Sequence, residues 1–279
     1  DALLSRGLGD VYKRQQFVHC GLQYKELGPR HIHADQQEYV LGMVTSELPR
    51  SIRNDQSLVD EFLTDYRSDL GGANFALKTR FDMGGNVHFL QSQLGEPKGE
   101  HSRMIKKVIA DMKETATLGL HFNMLNEHKC LKGQRMLALS DGSYGTLPKG
   151  ASSIAQTMGL ANDGPKLGGP INLVMGKGQK LRRVAKSSFL VEIQGAIAVL
   201  ESAQRAVLML FDFTNYLTYP KQLIDVSESW EGLLPIDLLT DAYDTFSSAL
   251  SQGTAFTDKH TIVYVAWLRG EIASNRVRS

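Results

Sequence analysis

The spacing of apolar positions changes character near residue 131. Up to about Lys129 it is mostly helical. In SLVDEFLTDYRSDLGGANFAL, Leu58, Phe62, Tyr66 and Leu70 recur every four residues and predict a helix ending near Gly71 and Gly72. In HSRMIKKVIADMKETATLGLHF, Met104, Ile105, Val108, Ile109 and Met112 share one face of a second helix, and a short extended run follows from Leu118 to Phe122.

Beyond Leu131 the apolar runs are short and punctuated by turns. RMLALS, SSIAQTMGLA and GPINLVMG predict three strands, the last two joined through the turn-rich NDGPKLGG. A long helix is predicted from about Ala185 to Tyr216, with Phe189, Ile193, Ile197, Leu200, Val207 and Leu210 as its stripe. A loop with Pro220 is expected to lead to the strand PIDLLT, followed by two helices near Tyr243 to Ser251 and Asp258 to Ser274 and the start of a last strand at NRVRS. The order β-β-β-α-β-α predicts an α/β fold with a mixed sheet and flanking helices. The expected division is a mostly helical segment over 16–130 and an α/β domain over 131–279. SRGLGDVYKRQ resembles a translated sequencing adapter, so residues 1–15 are expected to carry no fold information.

Composition narrows the classes. Of 279 residues, 42% are hydrophobic and 22% charged, which permits a packed core and argues against disorder. No apolar run approaches the ~20 residues that span a bilayer, and no charged start precedes an apolar signal core. Cys20 and Cys130 lack metal-ligand spacing, so a reduced, intracellular setting is expected. With a net charge of +1, nucleic-acid binding would depend on local basic patches.

Two stretches share a design. MLALSDGSY and IDLLTDAYD each run from apolar residues through a hydroxyl residue to an aspartate, Asp141 or Asp241, and then a small residue, Gly142 or Ala242. In open α/β sheets, sites form beyond the carboxyl ends of strands. If the two strands are parallel neighbours, the carboxylates meet. Glu192 lies beside the stripe of the long helix, with Phe189 and Ala196 as i−3 and i+4 neighbours, and a helix packed on the sheet could aim it at the same place. Three oxygen ligands without His or Cys suit a hard cation, Mg²⁺ or Mn²⁺. Two such ions ~4 Å apart would support phosphodiester hydrolysis with no side-chain nucleophile. Taken singly, a strand-terminal Asp is more often a turn former or helix cap, and Glu192 a solvated flank residue. The joint order Asp, Glu, Asp is what points to a site.

Lys177, Lys180, Arg182, Arg183 and Lys186 precede the long helix and could grip a phosphate backbone; a solvated basic loop is the alternative. Lys259 and His260 open a late helix, whose N-terminus could also receive a phosphate. GKG at 176–178 is not a phosphate loop. HIHAD, His31 to Asp35, offers two histidines without partners and reads as a surface segment.

LSDGSYGTLPKGAS, KLRRVAKSSFLVEIQGAIA, LLPIDLLTDAYDTFSSAL and FTDKHTIVYVAWLRGEIASNRVRS resemble, in order, blocks of the ribonuclease H domain of copia-type retrotransposon polyproteins. DYRSDLGGANFALKTRFDMGGNVHFLQSQLGEP and IKKVIADMKETATLGLHF resemble the segment that follows the reverse transcriptase core. The resemblance covers nearly all of 16–279. It implies a ribonuclease H-like fold behind a thumb or connection segment. It also implies that Asp141, Glu192 and Asp241 match three of four metal-binding carboxylates, with two Mg²⁺ or Mn²⁺ ions as cofactors. The implied partners are an RNA–DNA hybrid, gripped by Lys180, Arg182, Arg183, Lys186, Lys259 and His260, and an upstream polymerase domain. The implied setting is a cytoplasmic virus-like particle, or the nucleus. The chain is expected to be a fragment whose fourth carboxylate lies beyond Ser279.

Four departures stand out. Phe81 replaces a proline, Gly142 an alanine, Val191 a small residue, and Ala242-Tyr243 a more polar pair. A decayed element and a non-catalytic nucleic-acid-binding fragment are the rival expectations. A transposase or integrase would place its glutamate last in the chain, whereas Glu192 lies between the aspartates.

Overall fold

The computed structural model describes residues 16–125, 133–164, 168–215, 220–230, 233–251, 258–274 and 276–278. The adapter-like residues 1–15 and Cys130 lie outside them. The described residues are mixed α/β, with eight α-helices and two sheets. Contacts divide the chain into two units, split between Met124 and Leu125. The expected division at 130/131 falls in residues outside the described set.

The first unit is mostly helical, as expected, but adds a sheet that the spacing did not announce. Strands β1 (Gln16–His19), β2 (Leu22–Gly28), β3 (His31–Asp35) and β4 (Leu120–Asn123) form an antiparallel sheet in that order. Cys20 and Gly21 join β1 to β2 with φ of 51° and 78°, the twist that suits a two-residue hairpin. Strands of four to seven residues offer too little alternation to outweigh the helical spacing around them.

Helices α1 (Gln37–Gly42), α2 (Asp60–Ala76), α3 (Gly84–Ser92) and α4 (Gly99–Glu114) complete this unit. The predicted stop at Gly71-Gly72 does not occur. α2 runs on to Ala76, because Gly72 is a close-approach point: a Cβ there would lie 3.0 Å from Met43 Cε, and its carbonyl accepts from Tyr39 Oη at 3.2 Å. Tyr66, Leu70, Ile105, Val108, Ile109 and Met112 form the core, as their spacing predicted. The block carrying Phe81 is a clasp. Arg80, only 1% exposed, pairs with Asp82 at 2.8 Å and donates to Met112 O and Thr115 Oγ1 at 3.1 and 2.8 Å, tying the chain before α3 to the end of α4.

The second unit follows its predicted order with one correction: Pro220–Ser229, expected as a loop, is a helix, with proline at its first position, where its missing N–H costs no hydrogen bond. Strands β5 (Gln134–Leu147), β6 (Ala151–Asn162), β7 (Ile171–Lys180), β8 (Ile236–Leu239) and β9 (Val277–Arg278) form one sheet, ordered β7-β6-β5-β8-β9. β5 pairs antiparallel with β6 and parallel with β8, so the sheet is mixed. Helix α5 (Ser188–Asn215) packs on β5 and β6; α6 (Pro220–Ser229), α7 (Tyr243–Leu250) and α8 (Lys259–Ala273) complete the unit. Met136 and Ala138 of β5, Ile236 of β8 and Val277 of β9 meet Val199, Leu200, Ala203 and Val207 of α5 and Leu268 of α8 in one buried cluster. No helix among the described residues is long and apolar enough to cross a membrane.

Candidate metal centre

β5 and β8 are the parallel neighbours that the carboxylate pattern required. Their last registered pair is Leu139 with Leu239. Asp141 stands two residues further on in β5, so the period of two sends its side chain to the face that carries Leu139; Asp241 stands two residues beyond Leu239, past the end of β8. Leu139, Asp141, Ala155, Thr157, Leu239 and Asp241 line a recess of about 320 Å³ there.

One expectation needs correcting. Asp141 is not at a strand end: β5 continues to Leu147, and Asp141 sits opposite Ala155 of β6. It marks instead the end of the parallel pairing. The turn-former reading fails for it on the same ground. The capping reading fails for Asp241, because Ala242 is the N-cap of α7 and no side chain caps it, and it is Thr240 Oγ1 that accepts from Ala242 N, at 3.1 Å.

Glu192 arrives from α5. One carboxylate oxygen each from Asp141, Glu192 and Asp241 lie within 4.8 Å of one another. That is slightly wider than the ~4 Å across an octahedral Mg²⁺ with bonds near 2.0–2.1 Å. Three carboxylates this close repel one another, and a cation between them would offset that repulsion. The aspartates are exposed and Glu192 half-buried. Burial pushes the Glu192 carboxyl above its ordinary range, the Asp141 charge adds to this, the Gly142 N–H opposes it, and Asp241 raises it further. Gly142 N donates to Glu192 Oε1 at 3.2 Å, whereas Oε2 is buried without a hydrogen-bond partner among the described residues. A buried, unclaimed oxygen beside two further carboxylates is what a hard-cation site requires of its ligands. The residues therefore fit a divalent ion.

The basic residues are arranged more widely than their run suggested. Lys177 and Lys180 are on β7, with Arg182, Arg183 and Lys186 in the connection to α5. Lys180, Arg182 and Arg183 line a groove of about 450 Å³ with Gln194, Glu201 and Arg205 of α5 and Tyr264 of α8. Arg183 donates to Tyr264 Oη at 2.6 Å. Lys186 reaches Asp258 at 3.7 Å, which brings the basic connection beside Lys259 and His260, both exposed. Asp258 also accepts from Thr261 N at 3.1 Å, so its own carboxylate occupies the N-terminus of α8, where a phosphate was expected.

Sequence reasoning overlooked Gly142 as a donor to Glu192, and Arg205 and Gln194 as groove residues. Gln194, Ile197, Glu201 and Arg205 follow one another at helical spacing, so that face was readable from the period alone. The contact of Gly142 with Glu192 carries no such signal, since it joins residues fifty positions apart.

No protein-family model matches the chain, and no curated protein sequence matches it.

Proposed function

We propose that the second unit is a ribonuclease H-like domain of a copia-type reverse transcriptase polyprotein, hydrolysing the RNA strand of RNA–DNA hybrids. The observation that carries this reading is the convergence of Asp141, Glu192 and Asp241 from two strands and a helix. The mixed sheet with helices packed on it supports it, as does the order of the sequence blocks.

Each residue has a part. Asp141 and Asp241 present oxygens on the open face, where a strand of nucleic acid has access. Glu192 Oε1 is held by the Gly142 N–H, which leaves Oε2 to complete the ligand set. Two Mg²⁺ or Mn²⁺ ions, when bound, supply the activation of water and the stabilisation of the leaving oxygen. The groove of Lys180, Arg182, Arg183 and Arg205 holds the phosphate backbone without reading sequence. Contacts across a wide, shallow minor groove would identify the RNA strand by its 2′-hydroxyls.

The test is Mn²⁺ and Mg²⁺ titration of the protein, followed by a hybrid-cleavage assay. Asp241→Asn should lose more than the ~10–100-fold in metal affinity that changes around a ligand typically cost. Metal-dependent release of RNA fragments is the expected product. A protein that binds hybrids but takes up no divalent ion at these carboxylates is a binding module, not a nuclease.

A further inference from the structure

The histidines of HIHAD acquire a partner in the folded chain. β3 pairs with β4 so that His33 stands opposite His121, ninety residues after His31. His31 and His33, two apart on one strand, share a face, and His121 joins them there. The His31 and His121 rings lie 5.1 Å apart and the His33 and His121 rings 4.6 Å. His31 Nε2 and His121 Nδ1 are 2.9 Å apart, sharing one proton.

Around this cluster is a supporting carboxylate. Asp35, fully buried, faces His33 Nδ1 at 3.3 Å, receives Lys25 Nζ at 2.9 Å and accepts from Gln37 N at 3.0 Å. A carboxylate on Nδ1 fixes the proton there and leaves Nε2 as the ligand nitrogen, the arrangement that metal-binding imidazoles use. His33 Nε2 in turn faces Gly119, where a Cβ would come within 2.8 Å of it.

We propose that His31, His33 and His121 form a second metal site, of the all-imidazole class, that takes Zn²⁺ or Ni²⁺ and not Mg²⁺. Imidazole nitrogens suit these ions, as oxygen ligands suit Mg²⁺ and Mn²⁺. Metal–nitrogen bonds of about 2.0–2.1 Å put neighbouring ligand atoms roughly 2.9–3.4 Å apart, and the His31–His121 pair is already at 2.9 Å. The acidic triad is the set of three ligand atoms that already converges within 4.8 Å among the described residues. The His31 and His121 rings reach that state by turning toward His33, whose Nδ1 stays beside Asp35. The shared proton moves to the far nitrogen of its own ring, both lone pairs open to the ion, and His33 closes as the third ligand. An ion there would clamp β3 to β4.

The experiment uses the full chain with saturating Mg²⁺ present, so that the acidic site is held by its own ion. Zn²⁺ is then titrated calorimetrically, and the imidazole resonances are followed by NMR. One equivalent should bind, with the ring signals of His31, His33 and His121 shifting while His88 and His101 stay in place. His31→Asn and His121→Asn should each weaken binding more than tenfold, and Asp35→Asn by about 10–100-fold. Asp241→Asn should leave Zn²⁺ affinity unchanged, which separates this site from the acidic one. Unshifted ring signals in the unaltered protein overturn the proposal even if a variant fails to fold. So does a Zn²⁺ site that survives both asparagine variants, or one that is lost with Cys20→Ser.

Discussion

Gly142 holds Glu192 by an absence and a donor. A Cβ at position 142 would lie 2.9 Å from Glu192 Oε1 and 2.9 Å from Val191 Cγ1, and its backbone N–H donates to that same Oε1. Positions 142 and 191 are thus packed as a pair. Val191, fully buried, fills the space that an alanine methyl would take.

Gly142→Ala should therefore harm the site. Overpacking costs ~1–3 kcal/mol, more than the ~0.4–1 kcal/mol that alanine returns by restricting the unfolded chain. Displacing Oε1 should lower Mn²⁺ affinity by about 10–100-fold. Adding Val191→Ala should recover part of the loss, with a coupling of ~0.5–3 kcal/mol in a double-mutant cycle. Additive effects in Mn²⁺ titrations and urea unfolding would show that the two positions are independent.

The acidic cluster opposes folding when it holds no cation. Burial and the Asp141 charge push the Glu192 carboxyl upward, with Asp241 acting in the same direction. Asp241→Asn should raise the unfolding midpoint in EDTA and abolish the rise that Mg²⁺ gives the unaltered protein. A ligand bound at a hundred times its Kd stabilises by ~2.7 kcal/mol, so the contrast is measurable by calorimetry. A lower midpoint in EDTA for the variant would contradict this account.

At the other end of the sheet, Asp237 pairs with Arg135 at 2.9 Å and Arg278 at 2.7 Å, and Arg278 reaches Asp163 at 3.0 Å. This joins β5, β8 and β9 to the end of β6. Asp237→Ala should cost ~3–5 kcal/mol, the usual effect of removing one partner from a buried ion pair. Both tryptophans, Trp230 and Trp267, are half-buried against this unit's core, so fluorescence during urea unfolding reports it directly.

Asp69 is buried on α2 with Oδ2 lacking a hydrogen-bond partner among the described residues. Burial raises its pKa, Lys106 opposes this and Asp65 adds to it. The folded state therefore holds the proton to higher pH than the unfolded chain. Stability is lost as pH rises from about 4, the unfolded value, through the raised folded value. Asp69→Asn should slow hydrogen exchange in α2 at neutral pH and give no advantage below about pH 4.

The groove predicts a salt dependence. Arg182→Ala should reduce the slope of log affinity for a hybrid against log salt by up to ~0.9 per lost phosphate contact. Arg183→Ala should also loosen Tyr264, to which it donates. Binding measured across a salt series separates the two, because only a lost phosphate contact changes the slope.

The sequence alone determined the three carboxylates and the order of the second unit's elements apart from the helix Pro220–Ser229, which it read as a loop. Apolar period and turn residues are local properties, and long runs such as the α5 stripe state them many times over. It also located the cores of α2 and α4. The extended run that forms β4 was legible, but β1, β2 and β3 were misread, because strands of four to seven residues carry little period and the sheet closes only when β4 joins β3 across some eighty intervening residues. Tertiary structure decided that Asp141 stands inside a strand, that Gly142 makes room for Glu192, and that His121 meets His31 and His33. Each of these depends on register between distant segments, and a slip of one residue would send every side chain to the other face.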